Sequence, residues 1–334
     1  MKIAGCNLDS NVFVIAEVGN NHEGDFSLAK ELVRLAAETG ADAVKFQTIV
    51  PERLVRPQEV ERLAQLRRFS FTYEQFQELK DEADRCGIHF LSTPFDVESA
   101  RRLAPMVQAF KVASGDNNFF PMIDFMCSTG KPLIISTGLS DLSQVRQTRD
   151  FVTSRSGSLG QSSLVLLHCV SGYPVPYDQA NLQAIAALKE LHPYVGYSDH
   201  TLGIEAAVAA VALGARVIEK HFTISKSHSS FRDHALSAEP QELADMVARI
   251  KQVNLMSLHR GKTVQESERD NLLKARRSVC AAVGIDEGTT LTLDHLAFLR
   301  PGEGISPDQV EKVIGRVTRR AFEAGEPLTF DAVE

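Results

Sequence analysis

The strongest constraint in this sequence is a rhythm. Short apolar runs rich in Val, Ile and Leu recur eight times, and amphipathic stretches of helical length stand between them. The runs that read as strands are 12–17, 43–47, 89–92, 109–113, 133–136, 164–168, 194–197 and 217–220. Several helical stretches have legible ends. The stretch 26–38 has Asp25 and Ser27 at its start and Gly40 just past its end, with Ala29, Leu32, Val33 and Ala36 on one face. The next opens with Thr72 and Gln75 at capping-box spacing and carries Phe76, Leu79 and Ala83 before Gly87. Others span 202–213, ending at Gly214, and 241–258. Eight strand–helix repeats over roughly 250 residues match the size of a (β/α)8 barrel. An open doubly wound sheet shares that periodicity, but polar residues close nearly every strand, as at the mouth of a barrel.

After residue 258 the character changes. Residues 261–276 are polar and carry Glu266, Glu268, Arg269 and Asp270, which reads as a linker or an exposed helical connection. From Arg277 onward come short elements punctuated by Gly288, Pro301, Gly302, Gly304, Pro307 and Gly325. The expected organisation is therefore a barrel over 1–260, a linker over 261–276 and a compact second domain over 277–334. A core that small is marginal alone, so docking onto the barrel is expected.

Composition narrows the partners. A hydrophobic fraction of 43% gives the chain enough to bury, and a net charge of −7 weighs against nucleic acid. No apolar run reaches the roughly 20 residues of a membrane span, and the N-terminus lacks the apolar core of a signal peptide. A cytoplasmic protein without nucleic-acid or membrane partners is expected. Cys6, Cys86, Cys127, Cys169 and Cys280 are widely spaced, which suggests inert thiols rather than disulfides or a zinc site.

In a parallel barrel the reactive groups gather where the strands end. Those ends supply Glu17, Lys45 with Gln47, Ser92 with Thr93, Lys111 with Ser114, Ser136 with Thr137, His168, Ser198-Asp199-His200 and Glu219-Lys220-His221. His200 and His221 close the seventh and eighth strands, neighbours about 4.8 Å apart, so their imidazoles can converge on one metal. Two nitrogens leave room for water and substrate oxygen, which suits an open Lewis-acid site of the Mn²⁺ or Mg²⁺ kind. Glu17 on the first strand reaches the same space. Lys45, Lys111, Ser136 and Thr137 form a cradle for a small dianion bearing carboxylate and phosphate. A Schiff-base lysine at the same positions is a competing reading. His168 reads equally as a substrate-orienting or a packed residue. His228 and His234 read as exposed, with Asp233 between them a partner for a sugar hydroxyl.

At these residues the sequence resembles the sialic acid synthase family, which includes legionaminic and pseudaminic acid synthases and spore-coat relatives. The matching stretches begin with Ile15-Ala16-Glu17-Val18-Gly19-Asn20-Asn21-His22-Glu23-Gly24, Val44-Lys45-Phe46-Gln47-Thr48 and Ser92-Thr93-Pro94-Phe95. They continue through Phe110-Lys111-Val112-Ala113-Ser114-Gly115, Ile135-Ser136-Thr137-Gly138, His168-Cys169 and Tyr173-Pro174. Tyr197-Ser198-Asp199-His200-Thr201 and Glu219-Lys220-His221-Phe222 complete them. Arg300-Pro301-Gly302-Glu303-Gly304 resembles the family's antifreeze-like C-terminal (SAF) domain.

The resemblance implies a (β/α)8 barrel followed by a small β-rich SAF domain that caps the partner's barrel in a domain-swapped homodimer. It implies that phosphoenolpyruvate condenses with an amino-sugar aldehyde and water, yielding a nonulosonic acid and phosphate by C–O cleavage. N-acetylmannosamine or a 2,4-diacetamido-trideoxyhexose is the acceptor implied. His200 and His221 match the metal ligands, with Mn²⁺ the usual ion and Mg²⁺ or Co²⁺ as alternatives. Lys45, Lys111, Ser114, Ser136 and Ser198 match residues that hold phosphoenolpyruvate, and Glu17 matches the glutamate near the aldehyde. Gln47, Tyr173, Asp233 and Arg300 match positions near the sugar. Asp116, Ser171 and Phe231-Arg232-Asp233 depart from the family pattern, all near the sugar, so the sugar and its phosphorylation stay open. The rival functions are a metal-free Schiff-base pyruvate aldolase and an ice-binding protein built on the tail. Arg300, Glu303, Asp308, Arg316, Arg319 and Arg320 make that tail too charged for an ice-binding face.

Overall fold

The computed structural model of the protein describes residues 1–157, 160, 163–258 and 261–334. It divides into two compact units, Met1–His259 and Arg260–Glu334. The expected boundary at residue 260 lies outside the described residues.

In the first unit eight parallel strands form a nearly closed barrel. They are β1 (Phe13–Gly19), β2 (Ala43–Thr48), β3 (His89–Pro94), β4 (Phe110–Val112), β5 (Leu133–Ser136), β6 (Leu164–Cys169), β7 (Val195–Asp199) and β8 (Val217–His221). The ladder runs β3-β2-β1-β8-β7-β6-β5-β4. Eight helices follow the strands in turn: α1 (Phe26–Glu38), α2 (Tyr73–Cys86), α3 (Val97–Leu103), α4 (Phe120–Ser128), α5 (Leu142–Arg155), α6 (Ala184–Leu191), α7 (Glu205–Ala212) and α8 (Pro240–Met256). Strands covered on both sides must be apolar throughout. The strands are accordingly buried along nearly their whole length, and their Val, Ile, Leu and Phe side chains join the helix faces in one core. A hairpin of Lys2–Ile3 with Cys6–Asn7 precedes β1.

The local signals act as expected around α2. Thr72 Oγ1 accepts from Gln75 N at 3.3 Å, Gln75 Oε1 accepts from Thr72 N at 2.9 Å, and Gly87 takes φ 71° just past the helix. The helix expected over 202–213 starts later, at Glu205, because 201–204 form the turn that leads away from the end of β7. Gly196 in β7 serves a different purpose. A Cβ there would collide with the Val217 carbonyl oxygen of β8, so β7 and β8 pair at this point only with glycine.

The register then sets the site. Glu17 pairs with His221 on one side and Lys45 on the other, and Ser198 pairs with Glu219. Side chains alternate along a strand, so Ser198, Glu219 and His221 face the barrel interior. Asp199 and Lys220 face outward, where Lys220 Nζ meets Asp199 Oδ2 at 2.9 Å with both side chains buried.

In the second unit an exposed stretch holds a short helix, Arg269–Ala275. Beyond it Ser278–Ala281 pairs antiparallel with Leu296–Leu299. Val279, Ile285, Leu291, Val313, Phe322 and Leu328 pack into a separate small core.

Candidate active site

The C-terminal ends of the strands enclose a cavity of about 290 Å³. Its lining includes Glu17, Lys45, Gln47, Lys111, Ser114, Ser136, Tyr173, Ser198, His200 and His221, all expected from the sequence. Asp233 lies in the short helix Arg232–Leu236, where it is buried and bonded to Arg232 Nε at 3.0 Å. Arg300 belongs to the second unit and is exposed there, next to a cis Arg300–Pro301 bond.

Two lysines and two glutamates form a buried charge network at the floor of the cavity. Lys45 Nζ lies 2.8 Å from Glu17 Oε2 and 3.5 Å from Glu219 Oε2, and donates to Thr93 Oγ1 at 3.1 Å. Lys111 Nζ donates to Ser136 Oγ at 2.6 Å and to the Val112 carbonyl at 2.9 Å, and lies 3.7 Å from Glu219 Oε1. Ser198 Oγ donates to the same Glu219 oxygen at 2.9 Å. Both lysines are almost fully buried, so neither snorkels at the rim.

The charges divide unequally. Burial, helped by the Glu219 charge, pushes the Glu17 carboxyl up to about 7 against the pull of Lys45. Burial would also raise Glu219, but Lys111, Lys45 and the Ser198 hydroxyl hold it below the usual range. Burial lowers Lys111. Burial would lower Lys45 too, but the glutamates outweigh it and keep this lysine cationic. Glu219 is therefore the permanent anion of the network, while Glu17 stands near the point of exchanging a proton. Gln47 Nε2 donates to Glu17 Oε1 at 3.4 Å, and Asn20 Nδ2 donates to Gln47 Oε1 at 2.9 Å, which orients the amide.

The two histidines stand together with ring centroids 5.3 Å apart. The Val170 carbonyl can only accept, so His200 Nδ1, 2.8 Å from it, carries a proton and Nε2 is the nitrogen left to bind a cation; burial would lower this imidazole, but Cys169 and the carbonyl raise it above its ordinary value. His221 Nδ1 is buried with no hydrogen-bond partner among the described residues. Burial and the neighbouring His200 hold His221 well below the ordinary range, and so neutral. An Nε2 without a hydrogen-bond role on His200 and an orphaned neutral imidazole at His221 fit a divalent cation, which would displace the His200 Nε2 proton. No group of three His, Cys, Asp or Glu forms a metal site among the described residues, so two imidazoles would be the protein's share. Tyr173 packs over them, its ring centroid 4.3 Å from that of His200 and 6.0 Å from that of His221.

Three expectations need correction or sharpening. His234 is fully buried rather than exposed: Thr223 Oγ1 lies 2.6 Å from its Nδ1 and Glu23 Oε1 lies 3.1 Å from its Nε2. His168 is a packed residue, with Nε2 2.9 Å from the Ala180 carbonyl and its ring stacked on Tyr197. Cys169 is more than an inert thiol. It lines the cavity with Sγ 3.8 Å from His200 Nδ1; burial would raise the thiol, yet that contact leaves it below its usual value. Two further groups were not assigned a role from the sequence, Glu219 in the network and Arg232, whose Cζ stands 4.6 Å from the Tyr173 ring centroid. The alternation of β8 could have marked Glu219, which shares its interior face with His221.

Residues 32–262 match the NeuB family and residues 276–334 match the SAF domain. The N,N'-diacetyllegionaminic acid synthase of Legionella pneumophila is 37% identical, over 96% of this chain and 94% of its own. The N-acetylneuraminate-9-phosphate synthase of Mus musculus is 34% identical, over 96% of this chain and 92% of its own. Among solved structures, the N-acetylneuraminic acid (sialic acid) synthetase of Leptospira borgpetersenii, in complex with citrate, is 34% identical with a TM-score of 0.73. The match covers 79% of this chain and 90% of that one. With such relatives running nearly its whole length, the chain is a synthase, and the reading of the tail as an ice-binding protein falls away.

Proposed function

The chain belongs to the NeuB family, and from that membership we propose that it condenses phosphoenolpyruvate with the open-chain aldehyde of an N-acyl amino sugar, releasing a nonulosonic acid and phosphate. The observation that carries the proposal is the meeting, in one cavity, of a buried dilysine cradle with a pair of ligand-ready imidazoles. Lys45 and Lys111, with the Ser114, Ser136 and Ser198 hydroxyls, bind the carboxylate and phosphate of phosphoenolpyruvate. Glu219 offsets the two cations until the substrate arrives. A divalent ion held by His200 and His221, Mn²⁺ in our reading, would supply Lewis-acid polarisation of the aldehyde.

Carbon 3 of phosphoenolpyruvate forms the new bond to the aldehyde carbon, and the carbonyl oxygen takes a proton from Glu17. Water adds to carbon 2 and gives up its proton. The C–O bond to phosphate then breaks, phosphate leaves with the bridging oxygen and the proton of the carbon 2 hydroxyl, and the 2-keto acid remains. Tyr173, Gln47 and Asp233 position the sugar, and the packing of Tyr173 over the imidazoles excludes water from the reacting carbon. We further propose a homodimer in which Arg300 of one protomer reaches the sugar bound by the other.

The test is phosphate release from phosphoenolpyruvate with N-acetylmannosamine, its phosphate ester and 2,4-diacetamido-trideoxyhexoses, in Mn²⁺ or in EDTA. Release that needs both sugar and metal supports the proposal. Pyruvate turnover without metal, trapped covalently by borohydride, would move the assignment to a Schiff-base aldolase on Lys45 or Lys111.

A further inference from the structure

His200 and His221 share a support that lies outside the cavity. The β7–β8 ladder ends with Asp199 opposite Lys220, so each imidazole sits one residue beyond the last paired rung. His221 stays anchored on its other side, where it pairs with Glu17 of β1 and the Phe222 N–H donates to the Glu17 carbonyl at 2.7 Å. His200 has no such strand partner. β7 stops at Asp199, the chain turns away, and the His200 carbonyl accepts instead from the Val175 N–H of the loop after β6 at 2.9 Å.

A buried charge clamp on the outer face of the sheet makes up for the missing rung. Lys220 Nζ donates to Asp199 Oδ2 at 2.9 Å and to the Thr201 carbonyl at 2.5 Å, so one ammonium grips the residues on both sides of His200. Asp199 Oδ1 in turn accepts from the Thr201 N–H and from Thr201 Oγ1, each at 2.8 Å, which closes the turn around His200. Asp199 and Lys220 are each 1% exposed and Thr201 is 0% exposed. Two charges taken out of water gain little net stability over apolar side chains of the same size. What they do fix is geometry, because every donor and acceptor must meet its own partner. Neither Asp199 nor Lys220 lines the catalytic cavity.

We propose that Asp199 and Lys220 are positioning residues that set the separation of the two imidazoles, so that a divalent cation meets both nitrogens on a turn already ordered. The inference rests on the reading of His200 and His221 as metal ligands. Without the clamp, ordering the turn after β7 draws on the binding free energy of the ion.

The experiment measures Mn²⁺ binding to the full chain from the electron paramagnetic resonance signal of the free ion, with no substrate present. It compares the parent with an Asp199→Asn/Lys220→Met variant and counts the site that His221→Ala abolishes. Asn keeps an acceptor for Thr201 and Met fills the volume of the lysine, so the melting temperature should stay at or above that of the parent. The Mn²⁺ dissociation constant should rise roughly 10- to 100-fold, the usual range for loss of a group that supports a metal ligand. Lys45 and Lys111 stand on β2 and β4, so the dissociation constant for phosphoenolpyruvate, measured by calorimetry in EDTA, should stay within about twofold. A role confined to the fold would move both constants or neither. Should the double variant not fold, Thr201→Val decides: it removes only the hydroxyl bond to Asp199 and should weaken Mn²⁺ binding about 2- to 10-fold. Unchanged Mn²⁺ affinity in a folded variant, or an equal weakening for Mn²⁺ and phosphoenolpyruvate, overturns the inference and leaves the condensation standing. Absence of Mn²⁺ binding by the parent chain overturns the metal reading and this inference together.

Discussion

Asp116 shows how much a single half-buried charge costs at the mouth of the barrel. It follows Ser114 and Gly115 in the turn after β4, and burial pushes its carboxyl up to about 6. A carboxyl raised above its unfolded value contributes most to stability when protonated in both states, and that contribution is lost as pH rises through the folded value. Asp116→Asn should therefore melt with the parent chain near about pH 3 to 4 and above it beyond about pH 6. Equal melting temperatures across that range would show that the carboxylate is paid no desolvation cost. At this scale the residue types of the site were legible in the sequence, because lysines, histidines and a glutamate at strand ends have few structural uses. Their partners were not. Glu219 stands between Lys45 and Lys111 only because three strands close on one another, and no spacing along the chain encodes that meeting.

Among the elements, helices and strands tolerate change for different reasons. The α2 cap is local: Thr72→Ala removes one side-chain acceptor from an exposed helix start and should cost about 1 kcal/mol in urea unfolding. Gly196→Ala sets a Cβ against the β8 backbone at Val217, which cannot move without opening the barrel between β7 and β8, so the loss should exceed about 4 kcal/mol. A cost near that of Thr72→Ala would mean that β7 and β8 separate easily. The sequence located both elements well, since apolar runs and capping residues are local signals. It misjudged His234 because burial of this histidine depends on Thr223 and Glu23, contributed by separate segments.

The molecule as a whole carries two separate hydrophobic cores joined through an exposed stretch. Lys262, Arg269, Lys274 and Arg276 all lie in that stretch and are exposed. Limited trypsin digestion should cut first between residues 262 and 276 and leave a barrel-sized fragment. First cleavage inside the barrel loops would show that the connection is protected. The sequence by itself determined the eight-fold strand–helix alternation, the change of character after the last helix and the chemical inventory of the strand ends. Each of these is written in local periodicity or in residue type. Only the tertiary structure decided which inventory members meet: the pairing of Glu17 with both His221 and Lys45, the role of Glu219 as shared counter-ion, and the thiol of Cys169 beside His200. Closure of the barrel brings residues about 200 positions apart into contact, and the low dielectric it creates sets their charges, so neither effect exists until the chain has folded.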